Sequence, residues 1–531
     1  MSTVAHEGFA VQLLERRRWL LLIPVALYAL VVFPFVFQDV VGEPDLERMA
    51  LALVYGASSG LHAAAGYHYN YLVSFGYYQG LYHLLPQAVL VSSPALIAAI
   101  NYVGFGSAVL AVAMLGLYLA RLFGAVPALI TCILFAFSPV YLDLGTSGHP
   151  QLPGFALLLT GGWLLTFVND PQLRAPSRFA LAVAAFTAFL VAMTVRADVA
   201  LAFPFVTLMG PPESQRQWMR ASAIRLLIMG SACILWLAVV SSGGDHTSAG
   251  GQGFVASFFE QFYKLRTVPR GLVVFVLCMG VASLASLLVL LASRATRDLS
   301  RLEVWAIGLL ALPTLLFWLP NPTPGRHMLL AYVAAALLCA LLLSRRVRAP
   351  RAIALAALLV IGNQVIAEVA HDPLVRHYNW TYPLMTARRA TDSLPLGAFP
   401  LDHEAKQEAF APLREEGRAF ARACSGRVLV IAEEPYLMMM SLIERDPSVR
   451  LRTLTVGANR VYRASGARCT ADFVEKQAPQ HRDPLQELLG SPQYIGWSVY
   501  FQEARRNEYD RTPVPAGRRF SLALESPPRA H

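Results

Sequence analysis

Charged residues are scarce in this sequence. Only 15% of its 531 residues are charged, whereas 56% are hydrophobic and the mean hydropathy is +0.47. Soluble proteins carry about 25% charged residues, so this composition excludes an ordinary soluble protein and predicts an integral membrane protein. Lysine is almost missing, since the only three are Lys264, Lys406 and Lys476. The net charge of +10 therefore comes mainly from arginine.

Several familiar signals are also missing. The first apolar run has no small-residue cleavage site behind it, which favours a retained first span over a signal peptide. The polar C-terminal region contains no Walker loop, dinucleotide glycine fingerprint, paired CxxC or HExxH. The arginines lie in short clusters between apolar runs, which is typical of topology signals and not of a nucleic-acid-binding surface. We therefore expect a lipid bilayer as a partner and no nucleic acid.

Apolar runs dominate what is present. A membrane-spanning helix needs about 20 apolar residues, and by that rule we count eleven spans: 19–37, 95–119, 125–142, 152–168, 179–195, 198–210, 222–241, 271–293, 302–319, 327–344 and 352–370. The arginine clusters fall on one side if the N-terminus is cytoplasmic. An odd number of spans then places the tail on the outer, periplasmic side of a bacterial cytoplasmic membrane.

The predicted fold class is an α-helical polytopic membrane protein with a small C-terminal α/β soluble domain. We divide the chain into a transmembrane domain, 1–370, and an exported domain, 371–531, whose last residues are Pro/Arg-rich and expected to be disordered. The long first outer loop carries two predicted juxtamembrane helices, Leu46–Tyr55 and Tyr67–Leu85. The second of these is rich in tyrosine, which favours the membrane interface.

The tail alternates helical and strand patterns. Asp402–Cys424 is predicted to be an amphipathic helix and Tyr436–Glu444 a second helix, while Arg427–Ala432 and Leu451–Val456 have strand patterns. Two cysteines, Cys424 and Cys469, lie in this region, and export would permit a disulfide between them. The other four cysteines lie in apolar runs and are predicted to be core residues.

Acidic residues crowd one stretch, Gln38–Ala50, directly after the first span. A partly desolvated carboxylate at a membrane interface has a raised proton affinity and can act as a general base. Asp45 stands at the predicted start of a helix, where an aspartate is also a favoured N-cap residue. Residue chemistry alone leaves both roles open for Asp45, whereas Asp39 and Glu43 are expected to be solvated loop charges.

Cationic residues on the predicted outer side form a second candidate group. Arg196 interrupts apolar sequence in MTVRAD, and Arg326 and His327 follow the proline-broken stretch PNPTPG. Arginine suits phosphate because its planar fork donates two parallel hydrogen bonds. The alternatives are a structural pair between Arg196 and Asp198, or snorkelling to the interface, and an ordinary span-end position for Arg326.

Three histidines, His68, His83 and His149, are also predicted to lie outside. They could form a zinc site, but their spacing matches no ligand pattern, which favours interfacial polar roles. We therefore assign no metal ligand and no certain cofactor, and leave a divalent metal open.

The order of several motifs resembles a known family. The run PDLERMA at 44–50 is followed by the tyrosine-rich stretch, by AFSPVYLDLGTSGHP at 136–150, by MTVRADVALAFP at 193–204 and by PGRHMLLAYVAAALL at 324–338. This series resembles the GT-C membrane glycosyltransferases, in particular the bacterial lipid A aminoarabinose transferase and protein O-mannosyltransferase group. The resemblance covers about Arg16–Arg346.

The resemblance implies roles for individual residues. Asp45 would be the base that deprotonates an acceptor hydroxyl, Arg48 would orient the first loop, and Arg196, Arg326 and His327 would bind the donor phosphate. The substrate cavity would be lined by Glu47, His68, Tyr69, Tyr71, Asp143 and His149. Two departures concern acidic positions: Leu46 stands where the family often has a second carboxylate, and His149 stands where its second loop often has an aspartate.

The expected function is transfer of a sugar from a polyprenyl-phosphate donor to a hydroxyl on a glycan, lipid or protein acceptor, with inversion. A multi-pass transporter or lipid flippase would explain the spans and the arginines equally well, but it predicts inverted repeats and broken helices. A non-catalytic membrane scaffold is the third alternative.

Overall fold

The structure is a computed structural model of the 531-residue chain, and it describes the following part of that chain. The described residues are 18–36, 50, 53, 74–90, 92–146, 148–168, 170, 172–208, 215–241, 265, 268–293, 297, 299–320, 325–378, 414–432, 435–456, 459–475, 488 and 491–501. The predicted helix Leu46–Tyr55 lies outside them except for two positions. The predicted disorder of the last residues also lies outside.

The first part of the chain is helical. Its helices are α1 Leu22–Val32, α2 Phe75–Leu84, α3 Ser93–Phe123, α4 Ala125–Ala136, α5 Pro139–Thr146, α6 Gln151–Leu165, α7 Ala175–Val195, α8 Phe203–Leu208, α9 Gln215–Ser241, α10 Val268–Met279, α11 Val281–Ala292, α12 Arg301–Trp318, α13 Leu329–Arg346 and α14 Ala349–Tyr378. Most are apolar on every face, as expected where backbone polar groups must be satisfied within the helix and side chains face lipid or other helices. In α1, for example, Tyr28 and Val32 are buried while Leu30 and Val31 are exposed.

Six of the described helices are long and apolar enough to cross a membrane: Ala95–Phe123, Ala175–Val195, Arg216–Trp236, Arg301–Trp318, Leu329–Arg346 and Ala349–Ile366. Helices α4 and α5, bent by 69°, make a seventh if they count as one broken span. Four shorter apolar helices occupy the remaining predicted spans: Leu22–Phe35, Gln151–Leu165, Ala197–Val206 and Val281–Ala292. Every predicted span thus overlaps an apolar helix, and the multi-pass helical fold is confirmed. The count of eleven spans stays a prediction.

Helix α13 is central to this helical part. Most of its side chains are buried, and it packs against α4 and α12. Helix α6 lies along α7 in the same way. Glycine allows that approach, because a Cβ on Gly161 would stand 2.6 Å from the ring of Phe189.

The predicted span 271–293 is broken at Gly280, which has a φ of +106° and separates α10 from α11. Asn363 of α14 satisfies the break, since its Oδ1 accepts a hydrogen bond from the Ser283 backbone N–H at 3.0 Å and its Nδ2 donates to Ser283 Oγ at 2.7 Å. The first N–H groups of a helix lack partners within the helix. Asn363 supplies one of those partners inside an apolar environment.

The C-terminal part is an α/β unit. It contains helix α15 at residues 414–423, strand β1 Gly426–Ala432, helix α16 Pro435–Arg445, and strands β2 Arg450–Val456, β3 Asn459–Ser465, β4 Cys469–Glu475 and β5 Ser498–Phe501. The sheet order is β2-β3-β4-β1-β5. Strand β1 pairs parallel with β4 and β5, and the other neighbours are antiparallel. The α/β prediction for the tail is confirmed in this unit.

Two features stabilise this sheet. A disulfide joins Cys424 and Cys469, whose Cα atoms are 5.6 Å apart, and so ties the end of α15 to the start of β4. Asp472 is fully buried in β4, where Arg463 donates to both of its oxygens at 2.6 Å and the Tyr494 hydroxyl donates at 3.0 Å. A buried carboxylate needs such partners, because an unpaired charge is costly to bury.

The chain divides into two compact units. Among the described residues, one unit contains 18–36, 74–77 and 100–378, and the other contains 78–99 and the C-terminal sheet. Helix α14 continues to Tyr378, beyond the expected boundary. The domain boundary at residue 370 stays a prediction.

Candidate functional site

Several helix ends of the larger unit meet around Arg196. Helix α7 ends there because Arg196 has an extended backbone, with φ −156° and ψ 109°, and its N–H closes the last turn on the carbonyl of Ala192 at 2.8 Å. A 3-10 helix, Ala197–Ala202, follows and leads into α8. Helix α6 begins at Gln151, and the 3-10 turn Gly325–Met328 precedes α13.

Arg196 has three polar neighbours. Its Nε donates to Asp198 Oδ1 at 2.9 Å, its NH2 lies 3.3 Å from His327 Nδ1, and its NH1 lies 3.5 Å from Ser74 Oγ. The structural pair with Asp198, given above as an alternative for Arg196, is therefore present. A guanidinium carries five N–H donors, so these three contacts leave two of them for a ligand.

Gln151 completes the cluster. Its Nε2 lies 2.8 Å from His327 Nδ1 and donates to Asp198 Oδ2 at 3.2 Å. His327 Nδ1 is also 3.4 Å from Asp198 Oδ2. We call the four residues Gln151, Arg196, Asp198 and His327 the polar cluster.

The polar cluster is enclosed by apolar surface. Arg196 and Gln151 are 5% and 4% exposed, and the His327 ring stacks on Trp318 with the ring centroids 4.2 Å apart and the planes inclined by 23°. On the α6 side, a Cβ at Gly154 would stand 2.8 Å from the Cβ of Arg196. Close packing on these sides holds the charged groups in fixed positions, and their mutual contacts offset the cost of their burial.

The segment before α6, the predicted second outer loop, is pinned next to the cluster. The Gly148 N–H donates to Asn101 Oδ1 at 3.1 Å, and the Tyr77 hydroxyl donates to the Gly148 carbonyl at 2.8 Å. Burial raises the pKa of the Tyr77 hydroxyl, which keeps it protonated as a donor. His149 is buried, and its Nδ1 lies 3.3 Å from the backbone nitrogen of Gln151.

The sequence-predicted residues divide into three groups. Arg196 and His327 come into direct contact, and His149 lies two residues from the cluster member Gln151. Arg326 and Asp143 are placed by their backbones in the Gly325–Met328 turn and in α5. The rest of the predicted site lies outside the described residues: Asp45, Glu47, Arg48, His68, Tyr69 and Tyr71.

Gln151, Ser74 and Trp318 are the residues that the sequence analysis missed. A single glutamine at the start of an apolar run adds no charge, and a polar residue is ordinary at a span end, so it gives no specific signal by itself. Its place directly after His149 and Pro150, at a predicted outer helix end, was the one available indication. Asp198 was considered only as a partner of Arg196, and the contacts show that it also joins Gln151 and His327.

Metal ligands are not grouped in the part of the chain that the structure describes: no three His, Cys, Asp or Glu side chains there lie close enough to hold an ion. The polar cluster contains two such residues, Asp198 and His327.

Comparisons with known proteins were made with both sequence and structure. Neither a protein-family model nor a curated protein sequence matches this chain. Among the solved structures that are similar to it, we describe two. Both are ArnT from Cupriavidus metallidurans.

The ArnT structure bound to undecaprenyl phosphate is 15% identical, with a TM-score of 0.48, and the match covers 79% of this chain and 84% of that chain. The apo structure is 16% identical, with a TM-score of 0.47, and the match covers 80% and 85% of the two chains.

Proposed function

We propose that this chain is a GT-C-type membrane glycosyltransferase that uses a polyprenyl-phosphate sugar as donor. The observation that carries the proposal is the polar cluster at the ends of apolar helices. Ionisable residues in such surroundings are expensive to bury and usually mark a functional cavity. The motif order from 44 to 338 supports the same function, because the motif around Arg196 and the motif that contains His327 meet in that cluster.

The donor phosphate is the ligand that best suits these cations. Arg196 has two N–H groups beyond its described contacts, and they can bind oxygens of a phosphate. Asp198 balances one positive charge in the cluster. Arg326, the neighbour of His327 in the chain, supplies the second cation that a phosphate diester or monoester needs.

The proposed chemistry is a single displacement. Asp45 takes the proton from an acceptor hydroxyl, whose oxygen attacks the anomeric carbon of the donor sugar. The bond between that carbon and the phosphate oxygen breaks, and the lipid phosphate leaves with the electron pair and with inversion at carbon. Arg196 and Arg326 stabilise the developing negative charge.

The remaining predicted residues have supporting roles. Arg48 orients the loop of Asp45, and six residues line the cavity for sugar and acceptor: Glu47, His68, Tyr69, Tyr71, Asp143 and His149. The acceptor is a hydroxyl on a glycan, a lipid or a protein.

The proposed location is the outer face of a bacterial cytoplasmic membrane, with a cytoplasmic N-terminus and an exported C-terminal domain. The distribution of arginine over the loops supports this orientation. The disulfide between Cys424 and Cys469 supports it further, because disulfides persist in oxidising compartments.

The test is release of free polyprenyl phosphate by the purified protein, supplied with a panel of polyprenyl-phosphate sugars and a crude envelope acceptor. We expect release with one donor and transfer of its sugar to the acceptor. No release with any donor would contradict the proposal.

A transporter or lipid flippase is the second candidate, and two breaks in apolar helices favour it. The break at Gly280 and the 69° bend between α4 and α5 are discontinuities of the kind found in transporters. Movement of a lipid or solute across liposomes, without any release of polyprenyl phosphate, would favour this candidate over the glycosyltransferase.

A further inference from the structure

Gln151 contacts both Asp198 and His327 in the polar cluster. The oxygen and nitrogen of a glutamine amide can be exchanged by a flip, so the surrounding groups decide their places. The amide atom at 3.2 Å from Asp198 Oδ2 faces an ionised carboxylate, which only accepts hydrogen bonds. That atom must be the NH2 group, because an oxygen in its place would face a like charge.

This orientation sets the amide nitrogen against His327. The distance from Gln151 Nε2 to His327 Nδ1 is 2.8 Å, the shortest polar contact of the imidazole among the described residues. Two N–H groups cannot point at each other at this distance, so Nδ1 must accept. The second neighbour of Nδ1, Arg196 NH2 at 3.3 Å, is also only a donor.

The contact with Asp198 would favour a proton on Nδ1. The Oδ2 of Asp198 is 3.4 Å from Nδ1, the longest of the three contacts. Its two oxygens already accept from Arg196 at 2.9 Å and from Gln151 at 3.2 Å. Two closer donors therefore outweigh one more distant acceptor.

Stacking fixes the plane of the imidazole, and the two donors fix which edge of the ring faces them. Its face stacks on Trp318 at 4.2 Å. A rotation of the ring by a half-turn about the Cβ–Cγ bond would keep this plane and put a C–H where Nδ1 stands. The two donors would then face carbon. The observed ring orientation is the one that satisfies both donors.

We propose that Gln151 is a positioning residue that holds His327 as the neutral tautomer with its proton on Nε2. A neutral imidazole carries one donor nitrogen and one acceptor nitrogen, so occupation of Nδ1 by Gln151 and Arg196 makes Nε2–H the donor. The use of this tautomer rests on the proposed function, in which His327 belongs to the site that binds the donor phosphate. The tautomer itself does not depend on that function.

The test is nitrogen-15 NMR of the full-length protein in lipid nanodiscs, labelled at histidine and recorded at neutral pH. The His327 signals are assigned by their loss in His327→Gln, with His327→Asn as a second assignment variant. We expect an unprotonated Nδ1 and a protonated Nε2. A proton on Nδ1, in either the other neutral tautomer or the imidazolium, would overturn the proposal.

Gln151→Glu provides the decisive variant. It replaces the donor at 2.8 Å by a carboxylate, which should draw a proton onto Nδ1 and remove the signal of an unprotonated nitrogen. Gln217→Glu makes the same change at an exposed position of α9 and should leave the His327 signals unchanged. An unchanged His327 spectrum in Gln151→Glu, with the variant still eluting as the native protein does, would show that Gln151 does not set the tautomer.

The result also separates this inference from the function on which its use rests. An Nε2–H signal in a protein that transfers no sugar would support the proposed tautomer of His327 and contradict the proposed glycosyltransferase function. Sugar transfer by a protein with a proton on His327 Nδ1 would support the function and contradict the tautomer.

Discussion

At the scale of single residues, the contact between Arg196 and Asp198 is the strongest constraint on the site. Both partners are largely buried, and the pair is 2.9 Å long. Removing one partner of such a pair leaves an uncompensated buried charge and typically costs about 3–5 kcal/mol. Stability and any activity of the cluster therefore depend on the same two side chains.

Asp198→Asn should lower the unfolding temperature of the purified protein strongly, because Arg196 keeps its charge while losing its counterion. Asp170→Asn is the matched control, since Asp170 pairs with Arg121 at 3.1 Å but Arg121 is 30% exposed. Because Arg121 reaches solvent, this half-buried pair should contribute less than the pair at Arg196, closer to the about 0–1 kcal/mol of a solvent-exposed pair. Equal shifts for the two variants in a thermal-unfolding assay would contradict the buried pair at Arg196.

Sequence reasoning reached part of this cluster, and the reason is physical. Arg196 and His327 could be predicted because a cation beside an apolar run marks a span end, and the arginine pattern put both ends on one side. Gln151 could not be predicted, since an uncharged polar residue at a span end is common and carries no charge that singles it out. Which polar groups pair, and at which atoms, depends on packing distances that no periodicity contains.

At the scale of helices and strands, the broken segments depend on individual contacts. Gly280 has a positive φ, and a Cβ there would lie 2.3 Å from Asn363 Nδ2. The sequence predicted one continuous span over 271–293, because hydropathy does not distinguish a straight helix from one interrupted at a glycine. The break needs both the glycine and the asparagine on α14.

Gly280→Ala should destabilise the protein by about 1–3 kcal/mol, which is typical of a non-glycine residue forced into a rare backbone region, and the clash with Asn363 adds to this. Gly230→Ala in α9 is the control, because nothing lies within 4 Å of a Cβ there, and alanine favours a helix. Thermal unfolding of the two variants measures the difference. Comparable stability of both would show that the chain does not require the break.

The C-terminal sheet shows the same limit of sequence patterns. Strands β1 and β2 were predicted from their strand patterns, whereas β3, β4 and β5 were missed. Arg463 in β3 and Asp472 in β4 place opposite charges at paired positions, so neither strand alternates cleanly. Their bidentate ion pair, which satisfies both charges, exists only once the strands are together.

Tyr494 gives this sheet an alkaline pH dependence. Burial, and next to it the charge of Asp472, raise the pKa of the Tyr494 hydroxyl above its ordinary value of 10.0. The unfolded chain therefore loses this proton first as the pH rises. The contribution of Tyr494 to the free energy of unfolding should have its whole value below pH 10 and decrease as the pH rises above 10. Tyr494→Phe should flatten that decline in unfolding experiments on the full-length protein. An equally steep decline in the variant would assign it to other groups.

At the scale of the whole molecule, the account requires the C-terminal unit to be outside the cell's cytoplasm. Protease added to intact spheroplasts should remove an epitope placed at the C-terminus and spare one placed at the N-terminus. On a non-reducing gel, the disulfide Cys424–Cys469 should be present in protein taken directly from cells. Protection of the C-terminal epitope would reverse the proposed topology.

The overall class was the most predictable property of the chain. Each predicted span overlaps an apolar helix because the bilayer fixes both the length and the composition of a spanning segment. The enzyme class depends on the first loop, whose Asp45 lies outside the described residues. The identity of sugar and acceptor depends on a cavity shape that composition does not encode.

The most direct test of the account compares Asp45→Asn with Asp39→Asn in the assay of polyprenyl-phosphate release. Both changes neutralise one carboxylate of the same loop, but only Asp45 is proposed to accept the proton of the acceptor hydroxyl. Loss of a general base typically costs about a hundredfold to ten-thousandfold in rate, so Asp45→Asn should reduce turnover by that amount while Asp39→Asn retains it. Full turnover in Asp45→Asn would contradict the proposed mechanism.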